Sequence, residues 1–100
     1  MAEITVSQAH SRSAQDQVLD VREGFETADG VIGGTVHIPM GQLGHRLNEL
    51  DRNRPVIVVC RSGNRSAAVA DALNRAGYTA DTMAGGMTAW QRAGLPVTQL

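Results

Sequence analysis

The chain has 100 residues, of which 42% are hydrophobic and 19% charged, and its nine basic and ten acidic residues leave a formal net charge of -1. That length makes one domain, expected over residues 1–100, and the charge balance argues against a nucleic-acid binder built on a basic stripe. No apolar run is long enough to span a bilayer, and the opening MAEITVSQAH lacks the basic and apolar regions of a secretory signal, so no membrane association and a cytoplasmic location are expected.

In chain order, Ile4-Thr5-Val6 reads as a minor strand and Ser7 as the N-cap of a short polar helix ending near Ala14. Val18-Leu19-Asp20-Val21 is a second strand. An aspartate inside such a run needs a partner if it is buried, and Arg22 or a loop amide is nearest, so an ion pair supporting the sheet edge is expected rather than a catalytic acid. Gly24 to Asp29 predicts one or two helical turns, with Phe25 as a core anchor. Gly30 to Gly34 is a glycine-rich turn and Thr35 to Ile38 a short extended piece ended by Pro39. The turn has neither the lysine of a phosphate loop nor the glycine spacing of a dinucleotide fingerprint. His10, His37 and His45 each lack a second histidine or cysteine at ligand spacing, and no metal site is expected.

Met40 to Leu50 spaces Leu43, Leu47 and Leu50 as one apolar helix face, despite Gly41 and Gly44. Asp51 to Pro55 is a charged surface turn. Val56-Ile57-Val58-Val59 is a β-branched run without alternation, the pattern of a strand buried on both faces of a parallel sheet. Ser66 to Ala76 reads as a helix with Val69, Ala72, Leu73 and Ala76 on one face, stopped by Gly77. Tyr78 to Met83 holds a weaker strand, Gly85-Gly86 a turn, and Met87 to Ala93 a last helix with Trp90 as core anchor before the extended Leu95-Pro96-Val97. Four or five strands alternating with helices predict an α/β fold around a mostly parallel sheet.

The chemistry concentrates at Cys60, the only cysteine, which therefore forms no internal disulfide. It ends the buried strand, and Arg61-Ser62-Gly63-Asn64-Arg65 leads from it into a helix N-terminus, at the sheet edge where open α/β folds bind ligands. Inward-facing loop amides and two arginines, whose charge is fixed at neutral pH, predict an exposed thiolate in an anion-binding cradle. Four residues separate Cys60 from Arg65, one fewer than in cysteine-dependent phosphatases, so the cradle is expected to be too small for phosphate. Phosphate- or arsenate-directed chemistry is disfavoured on that ground.

Four motifs in order give the chain a family resemblance. Leu19-Asp20-Val21-Arg22-Glu23, the Gly30 to Pro39 segment, Cys60-Arg61-Ser62-Gly63-Asn64-Arg65-Ser66, and Gly85-Gly86-Met87-Thr88-Ala89-Trp90 with Ala93 to Val97 resemble those of single-domain rhodaneses, the thiosulfate sulfurtransferases. Val31 and Gly33 depart from the histidine and proline usual in that family. The resemblance implies a three-layer rhodanese-like fold, with Cys60 attacking the sulfane sulfur of thiosulfate or a related anionic donor and carrying it as a persulfide. Cyanide, a thiol or a sulfur-carrier protein then accepts the sulfur, and no cofactor is implied. Arg61, Ser62, Gly63, Asn64 and Arg65 become the substrate-binding loop, with Gly63 serving the turn, and Asp20 and Arg22 its support. A partner-dependent persulfide relay or regulatory module is the alternative, and an exposed apolar patch beside Cys60 would favour it.

Overall fold

The computed structural model describes residues 2–100, and its centre is the strand the sequence marks most strongly. Five strands, β1 (Glu3–Ile4), β2 (Gln17–Asp20), β3 (Val36–His37), β4 (Val56–Val59) and β5 (Ala80–Met83), form one sheet in the order β1-β5-β4-β2-β3. Every neighbouring pair is parallel, so all five carboxyl ends lie along one edge. Helices α1 (Val6–Arg12), α2 (Leu43–Arg46), α3 (Asn64–Arg75) and α4 (Gly86–Arg92) connect and cover it.

Side-chain alternation along β4 divides the core into two clusters. Val56, Val58 and Cys60 pack with Leu19, Val21, Ile38, Val69, Ala70 and Leu73 beneath α2 and α3. Ile57 and Val59 pack with Ile4, Ala9, Val18, Met83, Met87 and Trp90 beneath α1 and α4. Burial on both faces explains the unbroken β-branched run, and each such side chain withdrawn from water is worth about 1.5–3 kcal/mol.

Several boundaries differ from expectation for local reasons. Thr5, not Ser7, caps α1: its hydroxyl accepts from the Gln8 amide while the Gln8 side chain accepts from the Thr5 amide, so the helix starts at Val6 and the strand stops at Ile4. The Met40–Leu50 segment is not one helix. It runs as a 3-10 turn, the single α-turn of α2 and a second 3-10 turn, with Leu43 and Leu47 half-buried against the core and Leu50 buried. The buried face of α3 is Ser66, Val69, Ala70 and Leu73, whereas Ala72 and Ala76 are exposed, a rotation that carries Ser66 toward β5. Gly77 does end that helix, at φ +94°.

The anchors also divide. Trp90 is buried, its indole N–H donating to the Pro96 carbonyl at 3.0 Å. Phe25 is not a core residue: it is 82% exposed, because the 3-10 turn Glu26–Asp29 turns its buried side, Thr27, inward and leaves Phe25 at its outer start. The extended tail returns beside the glycine-rich turn, where Val31 and Thr98 exchange backbone hydrogen bonds of 2.8 Å.

Candidate active site

Cys60 follows β4 directly, and the next five residues curl over it into α3. Gly63, at φ +106°, provides the left-handed step that turns the chain, and an added Cβ there would also crowd the Gly85 amide at 3.3 Å. The turn points donors at one atom: the Cys60 sulfur accepts from the Gly63 amide at 3.1 Å and the Ser66 amide at 3.3 Å, with Ser66 Oγ at 3.4 Å. The expected exposed thiol is thereby corrected. Cys60 is 1% exposed, and the sulfur, held by the loop amides, forms the floor of the cradle rather than its rim.

Burial pushes the Cys60 thiol up, but hydrogen bonds from the Ser66 hydroxyl and from the Ser66, Gly63 and Ser62 amides outweigh it and hold the thiol below its ordinary value. The geometry thus stabilises negative charge on sulfur with fixed backbone dipoles.

The start of α4 braces the loop from the side. Met87 and Thr88 donate backbone N–H groups to the carbonyls of Cys60 and Arg61 at 2.8 and 3.0 Å. Gly86 makes this approach possible: a Cβ on it would lie 2.5 Å from the Cys60 and Arg61 backbone.

Asp20 and Arg22 hold the neighbouring strand end. Arg22 Nε donates to both Asp20 oxygens at 3.0 and 3.1 Å, Nη2 donates to Oδ2 at 2.8 Å, and the Arg22 amide donates to Oδ1 at 3.0 Å. The pair is buried, as the sequence predicts for a partnered aspartate. The same guanidinium donates to the carbonyls of Glu26 and Gly30, fastening the 3-10 turn to the sheet edge. His37 joins this edge by donating its Nε2 proton to the Arg22 carbonyl at 2.7 Å.

The two loop arginines are not equivalent. Arg65 donates to both oxygens of Glu26 at 2.8 Å, whereas Arg61 is exposed and forms no ion pair among the described residues. Ser62 and Asn64 are exposed on the loop's outer surface. The Arg65 hydrogen bonds hold the Glu26 carboxyl well down, to about 2 from an ordinary 4.5. A depressed carboxyl contributes stability that is fully present above its unfolded value and is lost as the pH falls through the folded one. Glu26→Gln is therefore expected to flatten the decline in stability between pH 4.5 and 2. Urea midpoints across that range test it, and an unchanged decline would show that the pair contributes nothing.

Beside the loop lies an open cleft of about 370 Å³, lined by Arg22, Glu26, Arg61, Thr88 and Gln91 and flanked by the exposed Phe25 ring. Asp29 also lines this cleft, and of its two arginines Arg22 is paired with Asp20 while Arg61 forms no ion pair among the described residues.

The family profile of the rhodanese-like domain matches residues 5–93. The chain belongs to the rhodanese-like domain family. It is 39% identical to the putative sulfurtransferase YtwF of Bacillus subtilis over 74 residues, covering 74% of this chain and 72% of that one. It is 32% identical to the thiosulfate sulfurtransferase GlpE of Shewanella oneidensis over 78 residues, 77% of each chain. The crystal structure of a rhodanese-related protein from Thermoplasma volcanium superposes over 100% of both chains with a TM-score of 0.94 at 32% identity. These relatives support a rhodanese-type sulfur-transfer role.

Within the rhodanese frame, the Val31 and Gly33 departures leave the turn in place: Val31 is pinned by the Thr98 bridge and Gly33 is exposed. Three contributors to the site escape a sequence reading. Glu26 gains meaning only from Arg65; Ser66 closes the loop motif but reads as a helix residue with no role of its own; and Thr82, on β5, reaches Ser66 only through the fold.

Proposed function

We propose that the protein is a thiosulfate-type sulfurtransferase that works by double displacement at Cys60. The Cys60 thiolate attacks the sulfane sulfur of thiosulfate, the donor's sulfur–sulfur bond breaks, and its electron pair leaves with sulfite. The terminal sulfur of the resulting Cys60 persulfide carries the negative charge and lies under the loop amides. Cyanide, a thiolate or a protein nucleophile then attacks that sulfur and returns the Cys60 thiolate. Atoms and electrons balance in both steps without a cofactor. A reducing compartment such as the cytoplasm keeps the single thiol available.

The observation that carries this reading is the convergence of the Gly63 and Ser66 amides on Cys60 Sγ, which favours a thiolate before attack and a persulfide anion after it. In this proposal Arg61 draws in the anionic donor, Gly63 sets the turn, and Ser62 and Asn64 contribute backbone rather than side chains. Arg65 has its charge balanced by Glu26, so it chiefly holds the loop to the 3-10 turn, with Asp20 and Arg22 supporting that turn from the sheet. Arg61→Ala is expected to raise the KM for thiosulfate about fivefold, the value of roughly 1 kcal/mol for one exposed charge, with little change in kcat. An unchanged KM would show that the charge is not used.

Intact mass after brief exposure of the reduced protein to thiosulfate tests the reading. A gain of one sulfur atom, reversed by a thiol and absent from Cys60→Ser, is expected. No adduct would overturn thiosulfate as the donor and favour the second reading, a relay that loads its persulfide from a protein partner. Phe25 gives that reading its support, because a large ring 82% exposed at the lip of the cleft suits a protein surface better than a small anion.

A further inference from the structure

Ser66 Oγ stands between two groups: Cys60 Sγ at 3.4 Å and Thr82 Oγ1 at 2.7 Å. All three residues are almost completely buried, so water is not at hand to complete their hydrogen bonds. A serine hydroxyl has one proton to give and lone pairs to receive with. In the thiol form, the Cys60 S–H donates to Ser66 Oγ, and the Ser66 proton has the Gly63 carbonyl at 3.1 Å as an acceptor. Thr82 is dispensable in that arrangement. On ionisation the sulfur stops donating and starts accepting. The Ser66 proton must turn toward Sγ, and the Ser66 oxygen loses the donor it had. Among the described residues, the Thr82 hydroxyl is the group placed to replace it.

We infer that Thr82 is a positioning residue for the nucleophile: its hydroxyl donates to Ser66 Oγ and frees the Ser66 proton to point at the ionised Cys60 sulfur. The contact follows from the sheet register. Thr82 pairs with Val58, two residues before Cys60, and therefore faces the α3 side of the sheet, where the Ser66 side chain also lies. A buried threonine among apolar neighbours is thus explained by a partner that needs a donor in only one protonation state.

The charged groups near the sulfur do not duplicate this device. Arg61 is exposed on the loop, Arg65 is paired with Glu26, and Arg22 is paired with Asp20. On β5 the one ionisable residue, Asp81, alternates to the opposite face and pairs with Arg12. The start of α4 offers Gly86 and Met87, which meet the Cys60 backbone.

The inference rests on Cys60 acting as a nucleophilic thiolate, and alkylation reads that thiolate whether or not sulfur is transferred. Because the chain has a single cysteine, the pH profile of its reaction with iodoacetamide reports Cys60 alone. Thr82→Val keeps the shape and removes the hydroxyl. It is expected to lower the alkylation rate about threefold to tenfold at a fixed pH below the thiol pKa, with the plateau at high pH unchanged. Thr82→Ser should restore the profile, and Thr82→Val should have no further effect in a Ser66→Ala background. A wild-type profile in Thr82→Val, no rescue by serine, or an equal shift without Ser66 would each overturn the inference. If valine disturbs the fold, as judged by thermal unfolding, Thr82→Ala is read by the same three criteria. Failure of sulfur loading with a normal alkylation profile would instead count against the proposed function alone.

Discussion

Cys60→Ser is expected to reduce sulfur transfer from thiosulfate by at least about a thousandfold while leaving the fold intact. Both halves follow from the same geometry. A serine hydroxyl is a poor nucleophile at neutral pH, and the loop amides that favour a thiolate cannot bring an alkoxide into range. Oxygen also cannot store the sulfane sulfur as a persulfide. The smaller hydroxyl nevertheless occupies a buried site already furnished with donors from Gly63 and Ser66, so it is not left without hydrogen bonds. Its effect on unfolding free energy should stay within about 1 kcal/mol. Steady-state transfer to cyanide, intact mass and urea denaturation together test this. Transfer within tenfold of the parent protein would remove Cys60 as the sulfur carrier.

The part of the molecule that was legible in the sequence is the part built from neighbours in the chain. Val56 to Val59 declare a central strand because burial on both sides removes the polar alternate positions, and Gly63 declares a turn because its backbone conformation excludes a side chain. Gly77 ends α3 for the same reason. Apart from the start of α1, which the local Thr5–Gln8 capping box sets, the misplaced features depend on contacts that no local pattern encodes. Four alanines in α3 make its apolar face ambiguous, and only packing against β5 selects Ser66 over Ala72 and Ala76. Phe25 has the composition of a core residue, but the backbone of its 3-10 turn directs Thr27 inward instead. The flanking arginines made Cys60 look exposed. The loop resolves that conflict by turning its amides toward the sulfur and its polar side chains outward, which sequence spacing alone does not show. Glu26, Ser66 and Thr82 lie 34, 6 and 22 positions from Cys60 in the chain; the loop itself brings Ser66 to the sulfur, the parallel register brings Thr82 to Ser66, and Glu26 arrives from the 3-10 turn beside the loop.

Arg22→Met is expected to destabilise the protein by about 3–5 kcal/mol, the cost of leaving one member of a buried ion pair without its partner. Asp20 is 0% exposed, and with the guanidinium gone it would keep one donor, the Arg22 backbone amide. The Glu26 and Gly30 carbonyls would lose donors at the same time. For a 100-residue domain, whose total stability is typically about 5–15 kcal/mol, that loss is a large share, and the melting temperature should fall by about 4 °C or more for each kcal/mol. Adding Asp20→Asn removes the stranded charge and should recover much of the stability, because replacing both members of a buried pair costs far less than removing one. The double variant separates two roles of Arg22. Charge compensation is restored in it, but the grip on the Glu26 carbonyl is not, and through Glu26 that grip sets the place of Arg65 and the loop above Cys60. Recovered stability with sulfur transfer still lowered would mean that Arg22 supports the reaction through the 3-10 turn. Recovery of both would confine Arg22 to neutralising Asp20, and full stability in Arg22→Met alone would show that the buried pair does not hold the sheet edge.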